Sequence, residues 1–396
     1  MGYGTVGSGV YEVFRTNKTS IDKKVGQELR VQYVLDLREF PGDPVMDVLT
    51  HDFEDILNDD EVKIVAEVMG GLHPAYEFTR RCLEAGKSVC TSNKELVAEH
   101  GAELIQIAKD HQVNYLFEAS VGGGIPIIRP LNSSLTADVI VEISGILNGT
   151  TNYMLTKMSR EGLNYDDVLK EAQAKGYAEL HPEADVEGYD ACRKIAILTS
   201  LVAGQTVDFH KIHTEGISGI DPTDFAYAKK LDATIKLLAV SRETEDGYQI
   251  SVAPYLLKKE NALAGVNDVF NAVAVCGNTL GDTMFYGRGA GKLPTASAVV
   301  ADVVECARHL QKTVGCLWEE GEAKVADFDS QEGRFFVRVL KKARADVEKV
   351  FGAVVPVVLD SALEEFAFVT ESMQEAEFEK CREQIFGFVK KIRIKD

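Results

Sequence analysis

The feature that most constrains this chain stands at its start. Gly2-Tyr3-Gly4-Thr5-Val6-Gly7 is a G-x-G-x-x-G run, and Val6, Val10 and Val13/Phe14 then share one helical face. In such a run the first glycine allows a tight turn and the second lets the backbone approach a pyrophosphate. The third permits close helix packing. N–H groups at the helix start would then face the anion. The motif gains its meaning from a strand before it and a helix after it. The helix is predicted; of the strand, the chain as given holds only Met1. In a doubly wound sheet that strand is central, so the expectation is a Rossmann-type parallel sheet with its first strand missing.

The same grain runs to about residue 128. Val31–Leu35, Val62–Val68, Ser88–Cys90 and Val113–Phe117 are predicted as buried strands, with one helix ending near Gly86 and another over Glu95–Lys109. From 129 to 287 a mixed α/β catalytic and dimerisation domain is expected. Val139–Ile143 is its first strand, Asn164 caps a helix ending at Gly176, and Asp190–Ala203 forms a second helix. Ile235–Arg242 and Tyr248–Leu256 flank an Asp246-Gly247 turn as antiparallel strands. Residues 288–318 return to the first domain, and the acidic stretch 319–333 reads as a linker. After it, Arg334–Leu340, Lys341–Gly352, Val354–Leu359, Glu365–Thr370, Met373–Gly387 and Val389–Ile394 read as strand, helix, strand, strand, helix, strand, an ACT-like βαββαβ module over 334–396.

Composition narrows the partners. A formal net charge of -19 repels nucleic acid and anionic membrane surfaces. Seven scattered cysteines contain no paired C-x-x-C motif, and no apolar run approaches the roughly 20 residues of a membrane span. A cytoplasmic protein acting on a small molecule is expected, without nucleic-acid or membrane partners.

At the end of the second predicted strand stand Asp36 and Arg38. A carboxylate there accepts hydrogen bonds from a ribose diol, whereas an arginine pairs with a 2′-phosphate, so NADP or NAD would suit. After the third predicted strand comes Thr91-Ser92-Asn93-Lys94, with Asn93 as a helix N-cap. Lys94 falls at the first helical position, where the helix dipole disfavours a cation by roughly 0.3–1 kcal/mol. The run from Gly176 to Lys194 gathers Tyr177, Glu179, Asp185, Asp190 and Lys194. Glu179, Asp185 and Asp190 are expected to converge on one lysine, with Asp190 and Lys194 at i,i+4. By spacing alone that pair is a surface salt bridge worth about 0.3–0.5 kcal/mol.

Together the strings GYGTVGSG, TSNK, FEASVGGGIPII, GILNGTTNYML, the GYAE-to-GYDACRK run and GRGAGKLPTASAVVAD resemble the homoserine dehydrogenase family over nearly all of residues 2–312. The resemblance implies NADP- or NAD-dependent reduction of L-aspartate 4-semialdehyde to L-homoserine. It implies Lys94 and Lys194 as acid or base groups flanking the reacting oxygen, with Asp190 orienting the site around Lys194. Asp185 and Glu179 would hold the substrate's amino group, and Gly149, Thr150 and Tyr177 would line the pocket. Gly2, Gly4, Thr5, Val6, Gly7, Asp36, Arg38, Ser92, Asn93, Lys94 and Gly289 would meet the cofactor. A structural sodium ion on the carbonyls of Glu118, Val121, Gly123 and Ile125, and a homodimer or homotetramer, are also implied. Two other readings stay open: a dehydrogenase for another acidic amino acid, and a non-catalytic ligand-binding or regulatory protein.

ACT-like modules carry a proline- and glycine-bearing turn after the first strand, where an amino acid binds. Here that place holds Lys341-Lys342-Ala343-Arg344-Ala345, so a plain dimerisation role is expected rather than a threonine sensor.

Overall fold

A computed structural model describes residues 1–359 and 364–395. Residues 360–363 and 396 of the C-terminal module lie outside the described residues. The chain forms two compact units: 1–140, 196–209 and 276–323 make one, and 141–195, 210–275 and 324–396 make the other.

In the first unit, Ile64–Glu67, Ser88–Thr91 and Tyr115–Leu116 form a parallel sheet in that order. The helices Ala75–Glu84 and Lys94–Asp110 carry the chain between these strands. Val34–Leu35 and Leu49–Thr50 form a separate parallel pair, the second strand of which the sequence did not announce. Val34–Leu35, Ile64–Glu67 and Tyr115–Leu116 are shorter than expected, whereas Ser88–Thr91 runs one residue past the expected Ser88–Cys90. Met1 and Gly2 run between the two sheets: the Met1 amino group donates to Ala66 O at 2.7 Å, Val68 N donates to Met1 O at 3.0 Å, and Gly2 N donates to Leu35 O at 2.8 Å. Residues 31–33 flank a cavity of about 660 Å³ lined by Val10, Phe14, Val31, Ile64 and Val303 instead of pairing with a strand, and Val62 and Lys63 border it from the other side, with Lys63 O accepting from Ser88 N at 2.9 Å. No strand precedes the first helix among the described residues.

That helix, Thr5–Val25, buries Val10, Phe14 and Ile21 against Ala296, Val299, Val300 and Val303 of the Lys292–Arg308 helix. Intervals of three, four and seven put each set on one face. Burying side chains of this size contributes about 1.5–3 kcal/mol each, so Phe14→Ala would be the single most damaging change to the seam. The helix stops at Gly26, at φ 85°, whose N–H caps Asp22 O, with Lys23 and Lys24 facing the negative end of the dipole.

In the second unit, strands 270–277, 140–146, 233–244, 247–258, 388–395, 332–340 and 365–369 lie side by side in that order. Ala233–Thr244 and Gly247–Lys258 pair antiparallel from Thr244↔Gly247 to Ala233↔Lys258, as the Asp246-Gly247 turn predicts. In the C-terminal segment the expected strand Val354–Leu359 is reduced, among the described residues, to an isolated bridge Val357↔Ala367; the other elements follow in the expected order as strand 332–340, helix Arg344–Phe351, strand 365–369, helix Glu375–Arg382 and strand 388–395. The last helix is shorter than Met373–Gly387, because Met373–Gln374 pairs with Glu332–Gly333 as strand. Phe335, Val337, Val339, Phe366, Phe368 and Phe378 form its own core, placed by period-two alternation in the strands. Its last strand pairs parallel with 247–258 through Tyr255↔Arg393, which no local signal foretells. Residues 319–333, expected as linker, carry strand Glu319–Glu322 and a short turn Phe328–Ser330.

Candidate active site

The glycine motif forms the turn its spacing predicts. Gly2 sits at φ 93°, and a Cβ on Gly7 would overlap Gly2 O, so a side chain at the third glycine would push the helix away from the turn. Nothing lies within 4 Å of where a Cβ on Gly4 would sit, and Gly4 is the N-cap of the Thr5–Val25 helix without a side-chain cap. Open space at Gly4, beside the unsatisfied N–H groups of Thr5, Val6 and Gly7, suits a pyrophosphate.

Asp36 and Arg38 are partners. Arg38 Nε donates to Asp36 Oδ1 and Nη2 to Oδ2, both at 2.9 Å, while Tyr3 N donates to Oδ2 at 2.8 Å. This guanidinium holds the Asp36 carboxyl far below the ordinary range. The loop therefore presents a neutralised pair, with Arg38 exposed and the Asp36 side chain largely covered.

The Lys94–Asp110 helix begins as expected, with Asn93 Oδ1 accepting from Leu96 N at 3.2 Å. Asn93 Nδ2 reaches Gly71 O at 2.6 Å, and Thr91 Oγ1 both accepts from Asn93 N and donates to Glu67 Oε2, the latter at 2.6 Å. Glu67 also accepts from Met69 N at 2.8 Å and is completely buried. Sequence reasoning missed Glu67; its signal was an acid closing an apolar β-branched run. It ties the carboxyl ends of two parallel strands, and so places Ser92 and Lys94, both half-buried, at the sheet edge where ligands bind.

In the segment 118–129 the Glu118 carboxylate accepts from the N–H groups of Ile127, Ile128 and Arg129 at 2.6–2.8 Å. Its own N–H donates to Asp302, which also binds Arg129 and whose carboxyl burial raises to about 7. Ile125 N donates to Gly122 O at 2.9 Å, closing a tight turn through Gly123 and Gly124, and Gly124 N donates to Arg288 O at 3.1 Å. Gly289 backs directly onto Gly123, so the Gly289 loop and the glycine turn are packed together. Among the described residues no cluster of acidic, histidine or cysteine side chains suits a metal, so a cation here would depend on main-chain carbonyls.

The second unit holds the other candidates. Lys194 Nζ donates to Asp190 Oδ2 at 2.7 Å and to Leu147 O at 2.8 Å, and both side chains are nearly buried. This is not the solvated pair that spacing alone suggests. Asn148 Nδ2 donates to Asp185 Oδ1 at 2.7 Å and Asp190 Oδ2 at 2.9 Å, while its Oδ1 caps the Gly149–Glu161 helix through Thr151 N. Asn148 was not anticipated, although an asparagine before Gly-Thr-Thr is a helix-cap signal. Thr150 Oγ1 donates to Tyr177 O at 2.6 Å, and the Tyr177 ring meets Tyr153 edge-on at 4.9 Å. Glu179 does not join the group: its side chain is exposed, and its carbonyl accepts from Gln173. The chain bends at Gly176 before Glu179, and the helix starting at Tyr189 presents Asp190 instead.

A family model described as "Homoserine dehydrogenase, NAD binding domain" matches residues 2–118, and one described as "Homoserine dehydrogenase" matches 126–304. A homoserine dehydrogenase of Bacillus subtilis is 37% identical over 399 residues, covering 96% of this chain and 92% of that one. The structure of a homoserine dehydrogenase from Thiobacillus denitrificans superposes with a TM-score of 0.91 at 34% identity, over 100% of this chain and 97% of that one. A hyperthermophilic archaeal homoserine dehydrogenase in complex with NADPH gives a TM-score of 0.66 at 28% identity, over 77% and 95% of the two chains. The glycine turn, the capped Lys94 helix and the buried Lys194–Asp190–Asn148 group thus lie within a chain that belongs to the homoserine dehydrogenase family.

Proposed function

We propose that this homoserine dehydrogenase, an oxidoreductase that uses a nicotinamide cofactor to interconvert L-aspartate 4-semialdehyde and L-homoserine, employs Lys194 as its principal proton donor. The buried Lys194–Asp190 pair carries this reading. Asp190 and Leu147 O hold two of the ammonium N–H groups, leaving a third for the carbonyl oxygen as it gains charge. Asn148 keeps Asp190 in place, so the lysine is oriented before substrate arrives. Asp185, from the same asparagine, faces the substrate's ammonium group, and Gly149, Thr150 and Tyr177 line its pocket. Lys94 serves as a second acid or base.

The nicotinamide, when bound, supplies the hydride. Gly2, Gly4, Thr5, Val6 and Gly7 hold its pyrophosphate, Ser92 and Asn93 flank it at the sheet edge, and Gly289 reaches it from the loop before the Lys292–Arg308 helix. NADP is the preferred form: an arginine already at the ribose position pairs with a 2′-phosphate, in line with NADPH in the archaeal relative. A sodium ion fits the carbonyls of Glu118, Val121, Gly123 and Ile125, hard oxygen donors beside a tight turn, with the Glu118 carboxylate engaged by N–H groups and Asp302 by Arg129 and the Glu118 N–H. Residues 334–396 act as an ACT-like module within a cytoplasmic homodimer or homotetramer. The absence of a disulfide among the described cysteines is consistent with that compartment.

The test is nicotinamide oxidation with aspartate semialdehyde, with Lys194→Ala beside the unaltered enzyme. Undiminished turnover in that variant would assign the proton to another group.

A further inference from the structure

Lys236, on the Ala233–Thr244 strand, is 1% exposed and forms no ion pair among the described residues. An ammonium group buried without a carboxylate is costly, and a methionine would fill the same space. What it does instead is bind three oxygens. Nζ donates to Asn152 Oδ1 and Asn267 Oδ1, each at 3.1 Å, and to Val266 O. Asn152, on the Gly149–Glu161 helix, extends the link through Nδ2 to Asp268 O at 3.1 Å and Phe270 O at 2.9 Å. One turn on, Thr156 Oγ1 accepts from Asp268 N at 3.0 Å. Segment 266–270 is thereby laced to the helix. Its Val269 O lies 3.0 Å from where a Cβ on Gly149 would stand, directly against the helix's first residue.

We propose that Lys236 is a positioning residue for the amino-acid substrate: its ammonium straps segment 266–270 to the 149–161 helix and so fixes the backbone at Gly149 and Thr150. This rests on the substrate placement given above. Lys236 touches neither Gly149 nor Thr150 and acts through Asn152 and Val269.

The strap depends on protonation, because a neutral amine offers two N–H donors to three oxygens. Burial, helped by Arg160 and opposed by Asp268, draws the Lys236 pKa from 10.5 down to about 8. Arg160 faces it from the helix and Asp268 from the strapped segment. Tyr255 lies opposite on the neighbouring strand, its phenol kept neutral by burial.

The experiment measures KM and kcat for homoserine oxidation by the full chain across a pH range centred on about 8. KM is expected to rise on the alkaline side. Arg160 and Asp268 are half-exposed, so Arg160→Gln and Asp268→Asn should fold. Arg160→Gln should move the KM midpoint to higher pH and Asp268→Asn to lower pH, with plateau kcat retained. Titration of the substrate's own amino group is common to all variants and cancels from the comparison. Lys236→Met should raise KM about 10-fold and abolish this part of the pH dependence, because a displaced pocket backbone loses orientation. Thr150→Val separates the two ideas. If it leaves KM unchanged, the substrate placement is wrong and the proposal falls with it. If it raises KM while both surface variants leave the midpoint where it was, the placement stands and the strap is overturned.

Discussion

Lys194 Nζ lies 2.7 Å from Asp190 Oδ2, one helical turn away and almost out of contact with solvent. The same oxygen accepts from Asn148 at 2.9 Å, so the carboxylate is fixed from two sides. Such a pair orients chemistry more than it stabilises the fold, since desolvation offsets much of its Coulomb attraction.

Removing either lysine ammonium should therefore act on turnover. Lys194→Ala and Lys94→Ala are each expected to depress kcat by about 10²–10⁴-fold, the usual cost of losing a general acid or base. Asp190→Ala should also cost turnover by leaving Lys194 misoriented, and Asn148→Ala should do so less severely. Steady-state kinetics with near-normal kcat in either lysine variant would withdraw that lysine's role.

Cofactor choice should turn on the Asp36–Arg38 pair. Arg38→Ala removes the cation proposed for a 2′-phosphate and leaves Asp36 negative, which favours a ribose diol. The ratio of kcat/KM for NADPH over NADH is expected to fall by about tenfold or more, roughly 1.4 kcal/mol. An unchanged ratio would place the 2′ group elsewhere.

The cavity beside Met1 predicts a gain. An apolar β-branched segment of about five residues joined ahead of Met1 should pair with both flanking chains and convert a buried ammonium, whose pKa burial lowers, into an amide. At about 1.5–3 kcal/mol per well-buried side chain, several degrees in melting temperature are expected, together with tighter cofactor binding. Calorimetry showing equal cofactor affinity with and without the segment would count against this.

Acid should loosen the join between the C-terminal module and its neighbouring strands. His213 and Arg393 hold Glu215 down to about 2 against the opposing effect of burial, and Arg338 and Lys390 do the same for Asp221, also to about 2. Both folded pKa values lie below their ordinary values of 4.5 and 3.8, so their stabilisation is complete above those values and drains away as pH falls towards 2. Melting curves should show this loss below pH 4.5, and Glu215→Gln should flatten it. An equally steep loss in that variant would point to other carboxylates.

Threonine should inhibit weakly or not at all. The residues after the module's first strand form a short 3-10 turn at Lys341–Ala343 that runs straight into the Arg344–Phe351 helix. Deleting residues 320–396 should alter assembly more than kcat, read by sedimentation and rate assays. A steep, saturable threonine inhibition curve, lost on that deletion, would establish a working sensor.

Much of this was legible in local sequence, because local rules operate over a few residues. The glycine motif predicts its turn through steric contact five residues apart, Gly2 to Gly7. Asn93 and Asn164 mark helix starts because their side chains cap N–H groups three residues on. Period-two alternation in Phe335, Val337 and Val339 marks a strand and its inward face. Motif order alone identified the family.

Other features rest on contacts between residues far apart in sequence. Spacing makes Asp190–Lys194 a surface pair; only packing against Leu147 and Asn148, more than 40 residues earlier, buries it and gives it direction. Glu179 belongs to the same acidic run yet points to solvent, because the backbone turn at Gly176 carries it away. Lys236 reads as an ordinary cation on an apolar strand, and its strap exists only because Asn152 and Val266, 84 and 30 residues away, converge on it. Sequence sets turns, caps and alternation, since those energies are local; burial, and the charge behaviour that follows from it, depends on which distant segments exclude water together.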